Sequence, residues 1–288
     1  MRFKKLFKEE KMKKLLALGL SVLTVAALFT GCTGAGQVLD GDGMVNEQGN
    51  EGRVFRQGFD LDYPPYSYID DNGNQGGFDV ELCQALCEYK GWTYEAVPFN
   101  WDAKDAELNS GNCDCIWSGF TRNGREDDYA WSISYSDNTQ MIMVPDGSEI
   151  KTLDDLNGKI VGVQTATSAY ELLNDEEGQK ELCDTFKSLE IYDTYTIAFN
   201  DLQSGGIDAI AIDVTSGQYL MSTKAGYHFL DEALGSEQYA IGFRKDDTAL
   251  RDEVNEALQA LVDNGTYDEI GKKYPEIYEY LCLKPSEK

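Results

Sequence analysis

From Arg53 onward, apolar and polar positions along the chain switch between two periods. Val54–Phe59 is a short apolar run of strand length. Apolar residues at 78, 82, 85, 86 and 89 then share one face at helical spacing, which predicts a helix over Phe78–Tyr89. The pattern next predicts a strand at Tyr94–Pro98, a helix at Ala103–Asn109 and a short buried strand at Asp114–Ser118. A strand at Gln140–Val144 is closed by the turn sequence Pro145-Asp146-Gly147. A second series follows: a short helix at Leu153–Leu156, a strand at Lys159–Val163, a helix opening over Ala169–Leu173 and a strand at Ile191–Tyr192. It continues with a helix at Asn200–Ser204, a strand at Ile207–Ile212, a helix at Thr215–Ala225 and a strand at Tyr239–Phe243. Helices at Thr248–Asp263 and Tyr267–Lys273 finish the chain. Strands alternating with helices predict an α/β architecture of mostly parallel sheets covered on both faces. Two such series predict two lobes, with ligands bound beyond the carboxyl ends of the strands.

The first 52 residues follow neither period. Residues 2–14 are basic, and Leu15–Phe29 is an apolar run of 15 residues. A membrane span needs about 20, so this length fits the core of a signal peptide, with the start at Met1 or Met12. The run ends at Leu28-Phe29-Thr30-Gly31-Cys32, which resembles a bacterial lipobox in which Cys32 is diacylated; Phe29 stands where Leu is commoner. Residues 1–31 are thus expected to be a lipoprotein-type signal peptide, and 32–52, with six glycines after Cys32, a lipidated and flexible tether. The expected location is the extracytoplasmic face of the cell membrane, reached through the lipid alone.

The 288 residues suffice for one large domain or two lobes. With 51 acidic and 25 basic residues the net charge is -26, and the first 31 residues hold seven of the basic ones, so the remainder is more acidic still. Such a surface repels phosphate backbones and argues against nucleic-acid partners. A single histidine, His228, excludes a multi-histidine zinc site, and no nucleophile motif accompanies it; its surroundings read as a strand with a structural role. Besides Cys32 there are Cys83, Cys87, Cys113, Cys115, Cys183 and Cys282. Buried free thiols are expected, and disulfides or a four-thiolate metal site remain as alternatives. The tether glycines neither follow a strand nor open a helix, so they are no phosphate loop, and Glu126-Asp127-Asp128 lacks calcium-loop spacing.

Five segments in order resemble the polar amino-acid-binding proteins of ABC importers, the extracellular solute-binding protein family 3. They are Gly58-Phe-Asp-Leu-Asp-Tyr-Pro-Pro-Tyr-Ser-Tyr68, Gly76-Gly-Phe-Asp-Val-Glu-Leu82, Lys159-Ile-Val-Gly-Val-Gln-Thr165, Gly206-Ile-Asp-Ala-Ile-Ala-Ile-Asp213 and Tyr239-Ala-Ile-Gly-Phe-Arg-Lys245; a separate stretch, Gly119-Phe-Thr-Arg-Asn-Gly-Arg-Glu126, carries Arg122 and Arg125. The resemblance implies the two-lobed, type II periplasmic-binding fold with two crossover strands. Lobe 1 is then expected over 53–143 plus 241–288 and lobe 2 over 144–240. It also implies a monomeric carrier without cofactor or catalytic residues, which hands a polar amino acid to a membrane permease.

The charges of a free amino acid need partners wherever they are buried. Arg125, a planar fork suited to two carboxylate oxygens, is the expected α-carboxylate partner. The commoner family pattern is Thr-Ile-Thr-Pro-Glu-Arg; this chain is one residue shorter and places Arg122 inside the turn, so Arg122 stands as the alternative. Thr121 matches the family donor to the same carboxylate. Ser168, before the Ala169 helix, would offer it a helix N-terminus or merely cap that helix. Asp213 matches the partner of the α-ammonium, with an N-cap as the plainer reading, and Ser118 and Gly119 would add backbone groups. Asp60, Tyr63, Tyr66, Trp101, Trp117 and Gln164 are expected around the ligand side chain, Tyr66 and Trp117 equally as core. Two other classes remain: an enzyme resembling cyclohexadienyl dehydratase, and a sensory module. Glutamine, glutamate, cystine, histidine and arginine all remain open as ligands.

Overall fold

The computed structural model describes residues 52–286, so the expected signal peptide, Cys32 and nearly all of the expected tether lie outside the described residues. The chain begins with β1 (Val54–Asp60), whose buried Phe55, Gln57, Phe59 and Asp60 put it at the centre of a sheet. Three short strands, β2 (Asp62–Tyr63), β3 (Ser67–Ile69) and β4 (Gln75–Gly76), form an antiparallel meander. It leads to α1 (Phe78–Lys90). Gly77 opens this helix at φ +114°, where a Cβ would lie 2.2 Å from the Tyr66 carbonyl oxygen; no other residue fits. Gly91 ends it in the left-handed conformation, and the apolar stripe Phe78, Leu82, Leu86 faces the core.

Then come β5 (Thr93–Phe99), a 3-10 turn at Trp101–Ala103, α2 (Lys104–Ser110), β6 (Cys115–Ile116), β7 (Ala130–Trp131) and β8 (Ser136–Pro145). After a 3-10 turn at Leu153–Leu156, the second series is β9 (Ile160–Gln164), α3 (Ser168–Asn174), α4 (Lys180–Cys183), β10 (Ser188–Tyr192), α5 (Tyr195–Ser204) and β11 (Ala209–Asp213). The chain continues through α6 (Val214–Thr223), β12 (Tyr227–Phe229), β13 (Gly235–Tyr239) and β14 (Gly242–Phe243). It closes with α7 (Thr248–Asp263), α8 (Thr266–Gly271) and α9 (Pro275–Tyr278).

Two large sheets result. One has the order β5-β1-β6-β14-β7, the other β10-β9-β11-β8-β12 with β13 also on β8. Each is parallel over its βα half, β5-β1-β6 and β10-β9-β11, and antiparallel where the returning strands join. β8 carries the chain into the second sheet, and β13 runs back beside it before β14 re-enters the first, so two strands cross between the sheets. Helices α1, α7 and α8 pack together by the first sheet; α3, α5 and α6 cover the second. In both sheets the parallel strands end at the same gap: β1 at Asp60, β6 just before Trp117-Ser118-Gly119, β9 at Gln164 and β11 at Asp213.

The predicted helix at Thr248–Asp263 matches α7 at both ends. The prediction for β8 starts four residues late. Ser136, Asn138 and Gln140 are its buried positions there, alternating with more exposed Asp137 and Thr139; the period is that of a strand, but its inward residues are polar. The expected strand Tyr239–Phe243 is two strands, β13 and β14, broken at Ala240-Ile241. The Ala240 amide there bonds the Phe120 carbonyl and the Ile241 carbonyl receives the Ser132 amide. Among the described residues the six cysteines are free thiols; Cys83, Cys87, Cys113 and Cys115 are buried, Cys183 and Cys282 half-buried. His228 lies on β12, its Nδ1 3.1 Å from Asp146 Oδ1 at the surface.

Candidate functional site

A small cavity lies between the strand ends. The first sheet contributes Asp60 from the end of β1, Tyr63 from β2, Trp101 from the turn after β5, and Ser118, Gly119, Thr121 and Arg125 after β6. The second contributes Gln164 from β9, Thr167 and Ser168 where α3 starts, and Asp213 from β11. Ten of the twelve expected binding residues thus meet around one space. Tyr66 and Trp117 do not line it. Both are fully buried beneath it, Trp117 against Tyr135 and Tyr66 edge-on to Tyr239 and Phe78.

Arg125 reaches the cavity because the short turn after Thr121 folds back: the Arg125 amide bonds the Arg122 carbonyl, which leaves Arg122 exposed at the bend. The guanidinium of Arg125, 7% exposed, lies over the Phe120 ring at 5.3 Å and donates Nη1 to the Thr121 carbonyl at 3.2 Å. Its Nη2 is 2.7 Å from Oε1 of Glu171 on α3, an ion pair across the gap without hydrogen-bond alignment.

Thr167, not Ser168, caps α3, its Oγ1 accepting the Tyr170 amide at 3.2 Å. Ser168 is therefore free of that duty and its Oγ accepts Gln140 Nε2 at 2.9 Å. Asp213 holds the N-cap position of α6 but makes no capping bond. Its Oδ1 instead accepts Asn138 Nδ2 and Gln140 Nε2, each at 2.6 Å, and the Tyr239 hydroxyl. The same two amides reach Glu237 Oε1 on β13, at 2.5 and 2.7 Å, and Thr121 Oγ1 donates to Glu237 Oε2 at 3.0 Å. Burial, and then the charge of Asp213, push the Glu237 carboxyl up to about 7.

On the far side, Asp60 Oδ2 accepts Gln164 Nε2 at 2.8 Å from the opposite sheet, and Oδ1 accepts the Asp62 amide at 3.0 Å. Burial raises the Asp60 carboxyl to about 7 despite these donors. Gln164 Oε1 is buried without a partner. Trp101 Nε1 donates across the gap to the carbonyl of Ala166 at 3.0 Å, a residue held at φ +55°. Tyr63 bonds the Tyr239 hydroxyl at 2.9 Å. The Gly119 amide is turned away: at 2.6 Å it donates to Asp79 Oδ2 in the core, so it does not serve as a cavity donor. The cavity therefore carries a buried guanidinium, a buried carboxylate pair, hydroxyls and aromatic walls, a set that can neutralise a small molecule bearing both charges.

Sequence reasoning missed Thr167, Asn138, Gln140, Glu171, Glu237 and Asp79. The signal for Asn138, Gln140 and Glu237 was strand alternation with polar inward positions. Thr167 shows the Thr-x-x start of a capped helix. Glu171, half exposed, and Asp79, on the apolar face of α1, carry no local signal. Among the described residues, no group of three or more His, Cys, Asp or Glu side chains is placed to hold a metal ion.

A Neisseria gonorrhoeae protein described as a probable histidine-binding protein is 28% identical over 268 residues, which span 91% of this chain and 96% of that one. The crystal structure of an ABC uptake transporter substrate-binding protein from Streptococcus pneumoniae with bound histidine is 32% identical, with a TM-score of 0.73 over 77% of this chain and 92% of that one. The crystal structure of an ancestral amino-acid-binding protein, described as a precursor of cyclohexadienyl dehydratase, is 30% identical with a TM-score of 0.70, covering 77% and 95%. The fold is that of the type II periplasmic binding proteins. Residues 55–276 match the model of the bacterial extracellular solute-binding proteins, family 3, and the chain belongs to that family.

Proposed function

We propose that the protein is a lipid-anchored extracytoplasmic receptor that captures a polar amino acid between two lobes and delivers it to an ABC importer. The observation that carries this reading is the pairing of buried Arg125 and buried Asp213 from opposite sheets on one small cavity. Arg125, Thr121 and Ser168 receive the α-carboxylate; Asp213 receives the α-ammonium. Tyr63 and Trp101 cover the ligand, and Asp60 and Gln164 offer acceptors to its side chain, which favours a side chain with a donor. Lobe 1 is residues 53–143 and 241–288, lobe 2 is 144–240, and they close by a hinge at the crossing strands. The cross-gap bonds Gln164–Asp60 and Trp101–Ala166 belong to the closed state. The monomer acts without a cofactor and catalyses nothing. The dehydratase reading gains only a likeness to a precursor that is itself described as an amino-acid-binding protein.

A thermal-shift screen of refolded, ligand-stripped protein against the twenty amino acids, cystine and prephenate tests the reading. At about 100 times its dissociation constant a true ligand adds about 2.7 kcal/mol. A shift with one or a few polar amino acids is expected; a flat response to all of them, or a shift with prephenate alone, overturns the proposal. The anchor has its own check. Cys32→Ser is expected to move the protein from the membrane fraction of expressing cells to the soluble or secreted fraction. Unchanged membrane retention would remove the lipid from the account.

A further inference from the structure

Glu237 does not line the cavity, yet it shares the hydrogen-bond donors of the carboxylate that does. Asn138 Nδ2 and Gln140 Nε2 each lie within hydrogen-bond distance of both Asp213 Oδ1 and Glu237 Oε1. Two acidic groups therefore converge on one pair of amides, one from β11 and one from β13, both less than a tenth exposed. The charged and titratable groups around Glu237 are Asp213, Tyr195 on α5 and Tyr239 on its own strand, with Glu171 and Asp175 of lobe 2 across an adjoining cleft. Of these only the carboxyls can be charged near neutrality. The nearby guanidinium of Arg125 is paired with Glu171.

Two ionised carboxylates in such a place would repel each other with little water to screen them, and two neutral carboxyls would leave the amide donors without an ionic acceptor. One proton between the two satisfies both constraints. An ammonium group supplies what that proton supplies, a single positive charge, together with three N–H donors. We infer that Asp213 and Glu237 hold one proton between them when no cation is near, and that the α-ammonium of the ligand takes its place, so that each capture event sends one proton to solvent. This rests on the amino-acid reading above and adds a residue to it: Glu237 is a positioning residue that shares the amide donors of Asp213 and carries the proton that the ammonium displaces. The charges balance: a net-neutral zwitterion enters and one proton leaves to solvent, so the complex ends one unit more negative than the free protein, with the ammonium where the proton stood and the α-carboxylate facing Arg125. Burial and the charge of Asp213 place the titration of Glu237 at about 7, where exchange is observable.

The sign follows. Below the titration point the proton competes with the ammonium, so affinity rises with pH and levels off above it. From pH 8 to pH 6 the affinity is expected to fall about tenfold, with close to one proton released per ligand at pH 6 and about a tenth of a proton at pH 8. The experiment is calorimetric titration of the purified protein with L-arginine, L-glutamine, L-histidine and L-cystine at pH 6 and pH 8. Two buffers of different ionisation enthalpy at each pH count the protons, and the independently known protonation of histidine is subtracted. Glu237→Gln is expected to bind at both pH values with less than a twofold difference and no release. Binding by wild type without proton release at pH 6 overturns the inference while leaving the function intact, and this arm holds even where Glu237→Gln does not fold. Release that survives Glu237→Gln overturns it as well. No binding of any of the four probes, together with a flat response to all twenty amino acids in the thermal-shift screen, overturns the inference together with the amino-acid reading.

Discussion

Arg125→Ala is expected to weaken amino-acid binding by a hundredfold or more while the fold stays intact. Removing one partner of a buried, hydrogen-bonded charge pair costs about 2–5 kcal/mol, and each 1.4 kcal/mol is about tenfold in affinity. The cost is large here because the ligand carboxylate would be left in a closed cavity with only the hydroxyls of Thr121 and Ser168 to meet it. The fold should survive for a specific reason. What the Arg125 side chain gives the protein itself is one bond to the Thr121 carbonyl, a contact over the Phe120 ring and an ion pair with half-exposed Glu171, and a pair with a half-exposed partner contributes little stability. The bond from Trp131 Nε1 goes to the Arg125 backbone carbonyl and is kept in any variant. Arg125→Lys keeps the charge but not the planar fork, so its affinity should fall between those of wild type and Arg125→Ala. Arg122→Ala, at the exposed bend, should bind as wild type does. Calorimetry on the three variants decides the matter: wild-type affinity in Arg125→Ala would remove the carboxylate assignment, and a loss in Arg122→Ala would transfer it.

The parts of the fold that were legible in the sequence are those whose buried positions are apolar. The α7 helix shows its stripe, Leu250, Val254, Ala257, Leu258 and Leu261, at helical spacing and could be bounded by eye. The β11 strand is five buried residues ending in an acid, which marks both the strand and its functional end. Legibility failed where the interior is polar. The inward side chains in the first half of β8 are Ser136, Asn138 and Gln140, and Glu237 is buried in β13, so hydropathy hides these strands although their alternation is regular. The two failures have one cause: both strands cross between the sheets behind the cavity and spend their inward positions on Asp213. The cavity wall is legible by the same rule in reverse, because acids and aromatics at strand ends stand out against apolar runs. Trp117 and Tyr66 stand out just as much, yet they point below the cavity floor, and residue type alone cannot say on which side of a strand end a ring will turn.

Asp79 was invisible to that reasoning, and its substitution should have a large effect on stability. It lies on the buried face of α1, where its Oδ2 accepts the Gly119 amide at 2.6 Å and the Tyr135 hydroxyl at 2.8 Å beneath the cavity. Burial outweighs these two donors and pushes its carboxyl up to about 7. In an unfolded chain an aspartate titrates near 3.9. Between those values the folded state holds a proton that the unfolded state has released, so stability falls as pH rises. The loss from this one group between pH 4 and pH 7 is on the order of 3 kcal/mol. Asp79→Asn keeps an oxygen for both donors and cannot ionise. It is therefore expected to match wild type near pH 4 and to be the more stable protein at pH 7 and above, the gap opening across that window. Asp60 and Glu237 titrate in the same range and remain in the variant, so the informative quantity is the difference between the two denaturation profiles rather than either slope. Urea denaturation of both proteins at half-unit steps from pH 4 to pH 8 measures it. Parallel profiles would show that Asp79 is ionised in the folded state throughout, and that the Gly119 amide and Tyr135 hydroxyl suffice to hold a full charge in the core.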